Sequence, residues 1–214
     1  MLVNEIFGSI EGEGIRTGYP VTFIRLFGCN LHCSYCDTRY ACTGPEFIKM
    51  SVDNILQVVK GNGWKRVTLT GGEPLIHRDV DTLIQALVDA GYEVNIETNG
   101  SVPIFPYLGY DNVILTVDYK SPSSGENHEM CISNLERLRE QDVLKFVVGS
   151  EEDLYEMERV LENYKVKCHV FVSPIFGSIE PADIADFIKN HKLHNCRMQL
   201  QIHKFIWEPT KRGV

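Results

Sequence analysis

The stretch Val21-Thr22-Phe23-Ile24-Arg25-Leu26-Phe27-Gly28-Cys29-Asn30-Leu31-His32-Cys33-Ser34-Tyr35-Cys36 carries the decision about the fold. Its first half (21–28) is an apolar run stopped by a glycine, the pattern of a buried strand. Its second half spaces three thiols as C-x3-C-x2-C. α/β sheets gather ligands at the carboxyl ends of their strands, where this cysteine loop falls.

Outward from that segment the alternation repeats. Strands are expected at 66–72, 93–100, 112–120, 143–150, 167–174 and 197–206, giving seven with the first. Helical periodicity lies between them at 53–60, 80–92, 128–140, 151–164 and 182–190. In 80–92, Val80, Leu83, Ile84, Leu87 and Val88 fall on one face and Gly91 follows as a stop. In 151–164, Leu154, Met157, Val160 and Leu161 repeat that spacing behind Ser150 as N-cap. Strand–helix alternation implies an α/β fold with a mostly parallel sheet and outer helices. The count falls short of an eightfold barrel, so an incomplete barrel or an open wound sheet is expected. In either, Gly28-Cys29, Thr70–Pro74, Glu97–Gly100, Asp118–Ser121, Ser173-Pro174 and His203, expected late in the seventh strand, converge on one rim.

The chain has 214 residues, 43% apolar and 23% charged, enough for one domain spanning 1–214. A net charge of −8 argues against a nucleic-acid partner. No apolar run is long enough to span a membrane, and residues 1–14 lack the pattern of a secretory signal. Seven cysteines, an odd count, suit a reducing cytoplasm better than a disulfide scaffold. Cys131, Cys168 and Cys196 read as reduced, buried thiols.

Three thiolates on one loop address one inorganic centre. Zinc would want a fourth ligand, from His32 or Cys42, but no second cysteine pair stands downstream. A [4Fe–4S] cluster held by three thiolates keeps one iron open. Thr70-Gly71-Gly72-Glu73-Pro74 adds a turn at a strand end whose glycines expose backbone and whose Glu73 offers an acceptor to an ammonium.

C-x3-C-x2-C with Tyr35 before its last cysteine, followed by the GGEP segment, resembles the radical S-adenosylmethionine (SAM) enzymes. Three further groups of residues extend the likeness along nearly the whole chain. They are Phe7–Gly14 with Gly18 and Phe23–Cys29, then Cys36-Asp37-Thr38 and Glu97–Gly100, then Lys120–Gly125 and Gln201–Lys204. Together they resemble the 7-carboxy-7-deazaguanine synthase family.

The resemblance implies a partial (β/α)6 barrel. It also implies the conversion of 6-carboxy-5,6,7,8-tetrahydropterin to 7-carboxy-7-deazaguanine with loss of ammonia, on the queuosine and 7-deazapurine route. Cys29, Cys33 and Cys36 would hold a [4Fe–4S] cluster, and Thr38 a magnesium ion. Tyr35, Gly71, Gly72, Glu73, Asp118, Lys120 and Ser173 would meet SAM. Ile10, Glu11, Gly12, Glu13, Arg25 and Thr70 would line the pterin, and Glu97 and His203 would move protons. A flavodoxin or ferredoxin reductant and a homodimer are implied as well.

Two departures stand out. Family members often carry Gln at the position of Glu11, and many carry Ser-Pro-Lys where this chain has Asp118-Tyr119-Lys120. The alternatives weighed are a radical activase of a glycyl radical enzyme and a non-enzymatic metal module. An activase is not expected to carry the Ile10–Gly14 segment.

Overall fold

The computed structural model describes all 214 residues. The strands are β1 (Leu2–Ile10), β2 (Pro20–Leu26), β3 (Ile48–Lys49), β4 (Arg66–Gly71), β5 (Glu93–Thr98), β6 (Val113–Tyr119), β7 (Val143–Val148), β8 (His169–Pro174) and β9 (Cys196–Met198). The helices are α1 (Val52–Asn62), α2 (Val80–Asp89), α3 (Glu151–Asn163), α4 (Pro181–Asn190) and α5 (His203–Ile206). One nine-stranded sheet runs in the order β3-β1-β2-β4-β5-β6-β7-β8-β9. From β2 to β9 every pairing is parallel, whereas β1 is antiparallel to β2 and to β3. This is the α/β, mostly parallel, partial-barrel architecture expected.

Period two along the strands separates core from site. Ile24, Leu69, Ile96, Leu115, Leu144 and Phe146 are fully buried. They join Ile55, Leu83, Leu87, Met157 and Ile184 of the helices in one core cluster of 36 residues. Each such side chain contributes about 1.5–3 kcal/mol through burial. Their alternating neighbours Arg25, Thr70, Glu97, Thr116, Asp118 and Lys145 line a cleft instead. The helices start where the sequence signals. Ser150 accepts from Asp153 N at α3, and Ser51 accepts from Asn54 N at α1.

Three expectations are corrected. The segment 197–206 is not one strand: only Cys196–Met198 pairs with β8, and His203–Ile206 forms α5. His203 therefore opens a short helix rather than lying late in a strand. The segment 128–140 is not an α-helix but a chain of turns, with 3-10 pieces at Asn127–Glu129 and Ile132–Asn134. There Asn134 Nδ2 donates to Gly100 O and Val102 O while its Oδ1 accepts from Ile104 N, so long-range side-chain bonds to the segment after β5 hold these turns where helical bonding was expected. Strand β1 was not foreseen, because its alternation is broken by polar and small residues.

The segment after β1 is tied across the barrel. Gln199, just past β9, exchanges hydrogen bonds with Gly14 (2.6 and 3.1 Å) and donates to Thr17 Oγ1 (2.8 Å). Arg16 is buried under the amino ends of β4 and β5, donating to Val67 O, Thr68 Oγ1 and Glu93 O. Residues 11–17 thus join the two sides of the sheet, and Glu11–Glu13 among them line the cleft.

Candidate active site

The cleft has a volume of about 480 Å³. Its floor is Ile10–Glu13 and its walls are the inward rows of the parallel strands. Its roof is the cysteine loop together with residues 209–214.

The roof is anchored at several points. Leu31 is buried in the core between two of the cysteines. Gly28 N donates to Ala41 O, Ser34 N to Ser124 O and His32 N to Glu126 Oε1. A Cβ on Gly72 would lie 2.2 Å from Gly28 O and 2.8 Å from Cys29 Cβ, so only glycine lets the β4 turn approach the loop this closely. All seven cysteines are free thiols.

The Cys42 thiol, whose own hydrogen bond runs to Thr38 O at 3.7 Å, neighbours Cys29 and Cys36, and its influence draws each of the two thiols down to about 6, into the thiolate range at neutral pH. Asn99 Nδ2 and Leu31 N also approach Cys29 Sγ, at 3.8 and 3.4 Å. Burial pushes the Cys33 thiol up. No three Cys, His, Asp or Glu side chains converge on a single ion position. The three loop thiols, on anchored backbone and drawn toward thiolate at two positions, suit a multi-iron centre with separated corners better than a single zinc ion. Thr38 lines the cleft with its Oγ1 3.8 Å from Cys36 Sγ.

Beside Cys33, Lys120 Nζ pairs with Asp118 Oδ2 at 2.9 Å and lies 5.9 Å over the Tyr35 ring. Asp118 Oδ1, Tyr35 OH, Ser121 Oγ and Ser173 Oγ are buried and have no partner within the protein. Such atoms are costly unless a ligand satisfies them. Tyr35, Gly71, Gly72, Asp118 and Lys120 share the cleft wall, whereas Ser173 is fully enclosed behind it.

Glu73 departs from expectation. Its carboxylate is fully buried and accepts from Leu75 N (2.9 Å), Thr98 Oγ1 (2.9 Å) and Asn99 N (2.6 Å). It fastens the turn after β4 to the end of β5 and is not on the cleft wall.

At the other end, Arg25 meets Glu5 Oε1 through Nε at 2.7 Å, with Phe7 and Tyr40 beside its guanidinium. Only one of its nitrogens is spent on that pair. Glu11 is buried, accepts from Thr68 Oγ1 at 2.5 Å and lies 3.6 Å from Arg16. Burial, and then the facing Glu97, pushes its carboxyl up to about 7. Glu97 opens only onto the cleft; burial raises it, and the Thr70 hydroxyl and Lys145 offset this in part. His203 packs on Gly12, where a Cβ would lie 2.3 Å from its Nδ1, and burial lowers it.

Several cleft residues escaped the sequence reading. Lys145 pairs with Glu13, Lys204 with Asp37, and Asn99 bridges Asn30 and Cys29. Arg212 lies 3.6 Å over the Tyr40 ring and bonds Glu46 at 2.9 Å, holding the last residues against the cleft. A lysine inside the otherwise apolar run Val143–Val148 was the legible signal for Lys145.

The sequence profile of the radical SAM superfamily matches residues 23–162. A 7-carboxy-7-deazaguanine synthase of Clostridium acetobutylicum is 43% identical, over 99% of this chain and 98% of its own. One from Methanospirillum hungatei is 44% identical, over 98% of this chain and 86% of its own. The crystal structure of QueE from Escherichia coli superposes with a TM-score of 0.73 at 27% identity, covering 94% of this chain and 93% of that one.

Proposed function

The chain belongs to the 7-carboxy-7-deazaguanine synthase family of radical SAM enzymes, and from that premise we propose how its own residues perform the reaction. The family's activity is the ring contraction of 6-carboxy-5,6,7,8-tetrahydropterin to 7-carboxy-7-deazaguanine with loss of ammonia. The observation that carries the proposal is the cleft, with thiols in its roof, acid–base groups in its wall and a polar floor at the opposite end.

Cys29, Cys33 and Cys36 hold the [4Fe–4S] cluster. When bound, the cluster and SAM supply a 5′-deoxyadenosyl radical at the top of the cleft. The backbone of the Gly71-Gly72 turn, Asp118 with Lys120, and the Tyr35 hydroxyl orient SAM, and Ser173 supports that wall from behind. Glu73 acts through the turn it fastens rather than as a direct acceptor.

The free guanidinium nitrogens of Arg25 take the substrate carboxylate. Thr38 lends its hydroxyl to magnesium, a hard cation that keeps few protein ligands. Ile10, Glu11, Gly12, Glu13 and Thr70 enclose the pterin, with the carboxyl groups toward its donor-rich edge.

The net reaction takes a proton from ring carbon and gives one to the departing nitrogen. Glu97, raised by burial, is the group suited to hold and pass that proton. His203, lowered by burial and set against Gly12, is the neutral partner on the floor side. A small flavodoxin or ferredoxin supplies the electron, the enzyme works in the cytoplasm as a homodimer, and residues 1–214 act as one radical SAM domain.

The test is turnover. Anaerobically reconstituted protein with carboxytetrahydropterin, SAM, magnesium and a reductant should yield an ultraviolet-absorbing deazapurine over many cycles per SAM. Deoxyadenosine accumulating without deazapurine would reject the reading and favour an activase.

A further inference from the structure

Lys145 sits midway along β7, level with Asp118 of β6 and Phe171 of β8. Its neighbours Leu144 and Phe146 are fully buried in the core, while Lys145 turns to the cleft. Its Nζ donates to Glu13 Oε2 at 2.8 Å, and that is its one hydrogen bond within the protein. An ammonium carries three donors, so two remain. The other oxygen of the same carboxylate, Glu13 Oε1, is buried with no partner. A fixed donor and a fixed acceptor therefore stand side by side on the cleft lining.

Burial alone would discharge the lysine, but Glu13, with Asp118 and Glu97 farther off, more than offsets it and keeps the ammonium charged. The charged groups around the pair are Glu11 on the floor, Arg16 beneath it and Arg25 of β2. Glu97 of β5 and Asp118 of β6 stand in the wall, Asp37 in the cysteine loop, and His203 and Lys204 in α5. Arg25, Lys204 and Lys120 have their own carboxylates in Glu5, Asp37 and Asp118.

We propose that Lys145 is a specificity-determining residue, its ammonium donating to the 4-oxo oxygen of the pterin while Glu13 accepts from the adjacent ring N3–H. This rests on the reading that the cleft takes a carboxytetrahydropterin, and it names the group that tells an oxo ring from an amino ring. In a 2,4-diamino analogue both positions invert. The oxo acceptor becomes an amino donor facing an ammonium, and ring N3 becomes an acceptor facing a carboxylate. Buried polar groups left mispaired are what make such rejection strong.

The experiment measures equilibrium binding of carboxytetrahydropterin and of its 2,4-diamino analogue to cluster-loaded, SAM-bound enzyme without reductant, so that no turnover occurs. Wild type should bind the oxo compound roughly 100-fold or more tighter, as expected for a hydrogen bond to a charged group with both partners inverted. Lys145→Met should weaken oxo binding by roughly 10–100-fold and bring the two ligands within about 10-fold of each other. Lys145→Arg should keep most of the discrimination. Iron content and SAM binding should be unchanged in both variants. If Lys145→Met does not fold, Lys145→Gln, which keeps a neutral donor, should give an intermediate ratio.

Equal weakening of both ligands would make Lys145 a counter-ion of Glu13 only and would overturn the inference. An unchanged oxo affinity would overturn it too. Wild type that binds neither pterin would instead reject the underlying reading of the cleft.

Discussion

The two acidic thiols, Cys29 and Cys36, owe their shift chiefly to a neighbouring fourth cysteine, Cys42. Cys33 stands apart, on the Lys120–Asp118 side, with its thiol raised by burial. Cys33→Ser removes one of three corners, so the protein should retain well below the ~4 iron expected per chain and form no deoxyadenosine. Iron analysis with product assay checks this, and unaltered values would remove Cys33 from the ligand set. Glu11 makes a pH-dependent prediction. Its folded value of about 7 exceeds the ordinary 4.5, so the folded chain keeps a proton that the unfolded chain releases between those values. Folding is therefore favoured at low pH, and that contribution is lost as pH rises through 7. Glu11→Gln keeps the acceptor for Thr68 and removes the ionisation. Relative to its effect at pH 5, it should gain about 2.5 kcal/mol of stability at pH 8. Urea unfolding of the metal-free protein at both pH values reads this, and equal effects would contradict it.

Among elements, the turn after β4 governs the roof. Gly72→Ala drives a methyl into backbone rather than into a yielding side chain, costing about 1–3 kcal/mol and displacing the cysteine loop. Its thermal midpoint and iron retention should both fall. Gly61→Ala in α1 meets nothing within 4 Å and should be neutral or slightly stabilising. A variant of Gly72 with full iron content and an unshifted midpoint would refute the close approach. The parallel strands were legible because each buries an apolar row, and their ends were marked by Gly28, Gly71-Gly72 and Gly100. The stretch 197–206 misled because its alternation continues past the point where pairing with β8 ends. The stretch 128–140 misled because its apolar spacing is helical while Asn134 diverts the backbone into turns. GGEP was rightly placed at the rim, but no spacing argument reveals that Glu73 spends its acceptors on Thr98 and Asn99.

For the molecule as a whole, the cleft exists because chain segments distant in sequence close an open sheet. Residues 11–17 brace one end against β4, β7 and Gln199, and residues 209–214 cover the other. Neither closure was legible, since both depend on long-range polar pairing rather than on local periodicity. Arg212 holds the second closure through Tyr40 and Glu46. Arg212→Ala should raise the KM for the pterin about 5-fold, the worth of about 1 kcal/mol in stacking and an exposed ion pair, with kcat little changed. Steady-state kinetics decide, and an unchanged KM would show that the last residues do not help retain substrate. On the proposed function, a pterin sits between the floor at Ile10–Glu13 and a cluster on Cys29, Cys33 and Cys36. An anaerobic crystal structure with SAM and carboxytetrahydropterin bound tests that most directly. The predicted result is the substrate carboxylate on Arg25, its ring edge on Glu13 and Lys145, and three cysteine ligands with SAM on the remaining iron. A pterin seated outside this cleft, or Cys42 ligating the fourth iron in place of SAM, would contradict it.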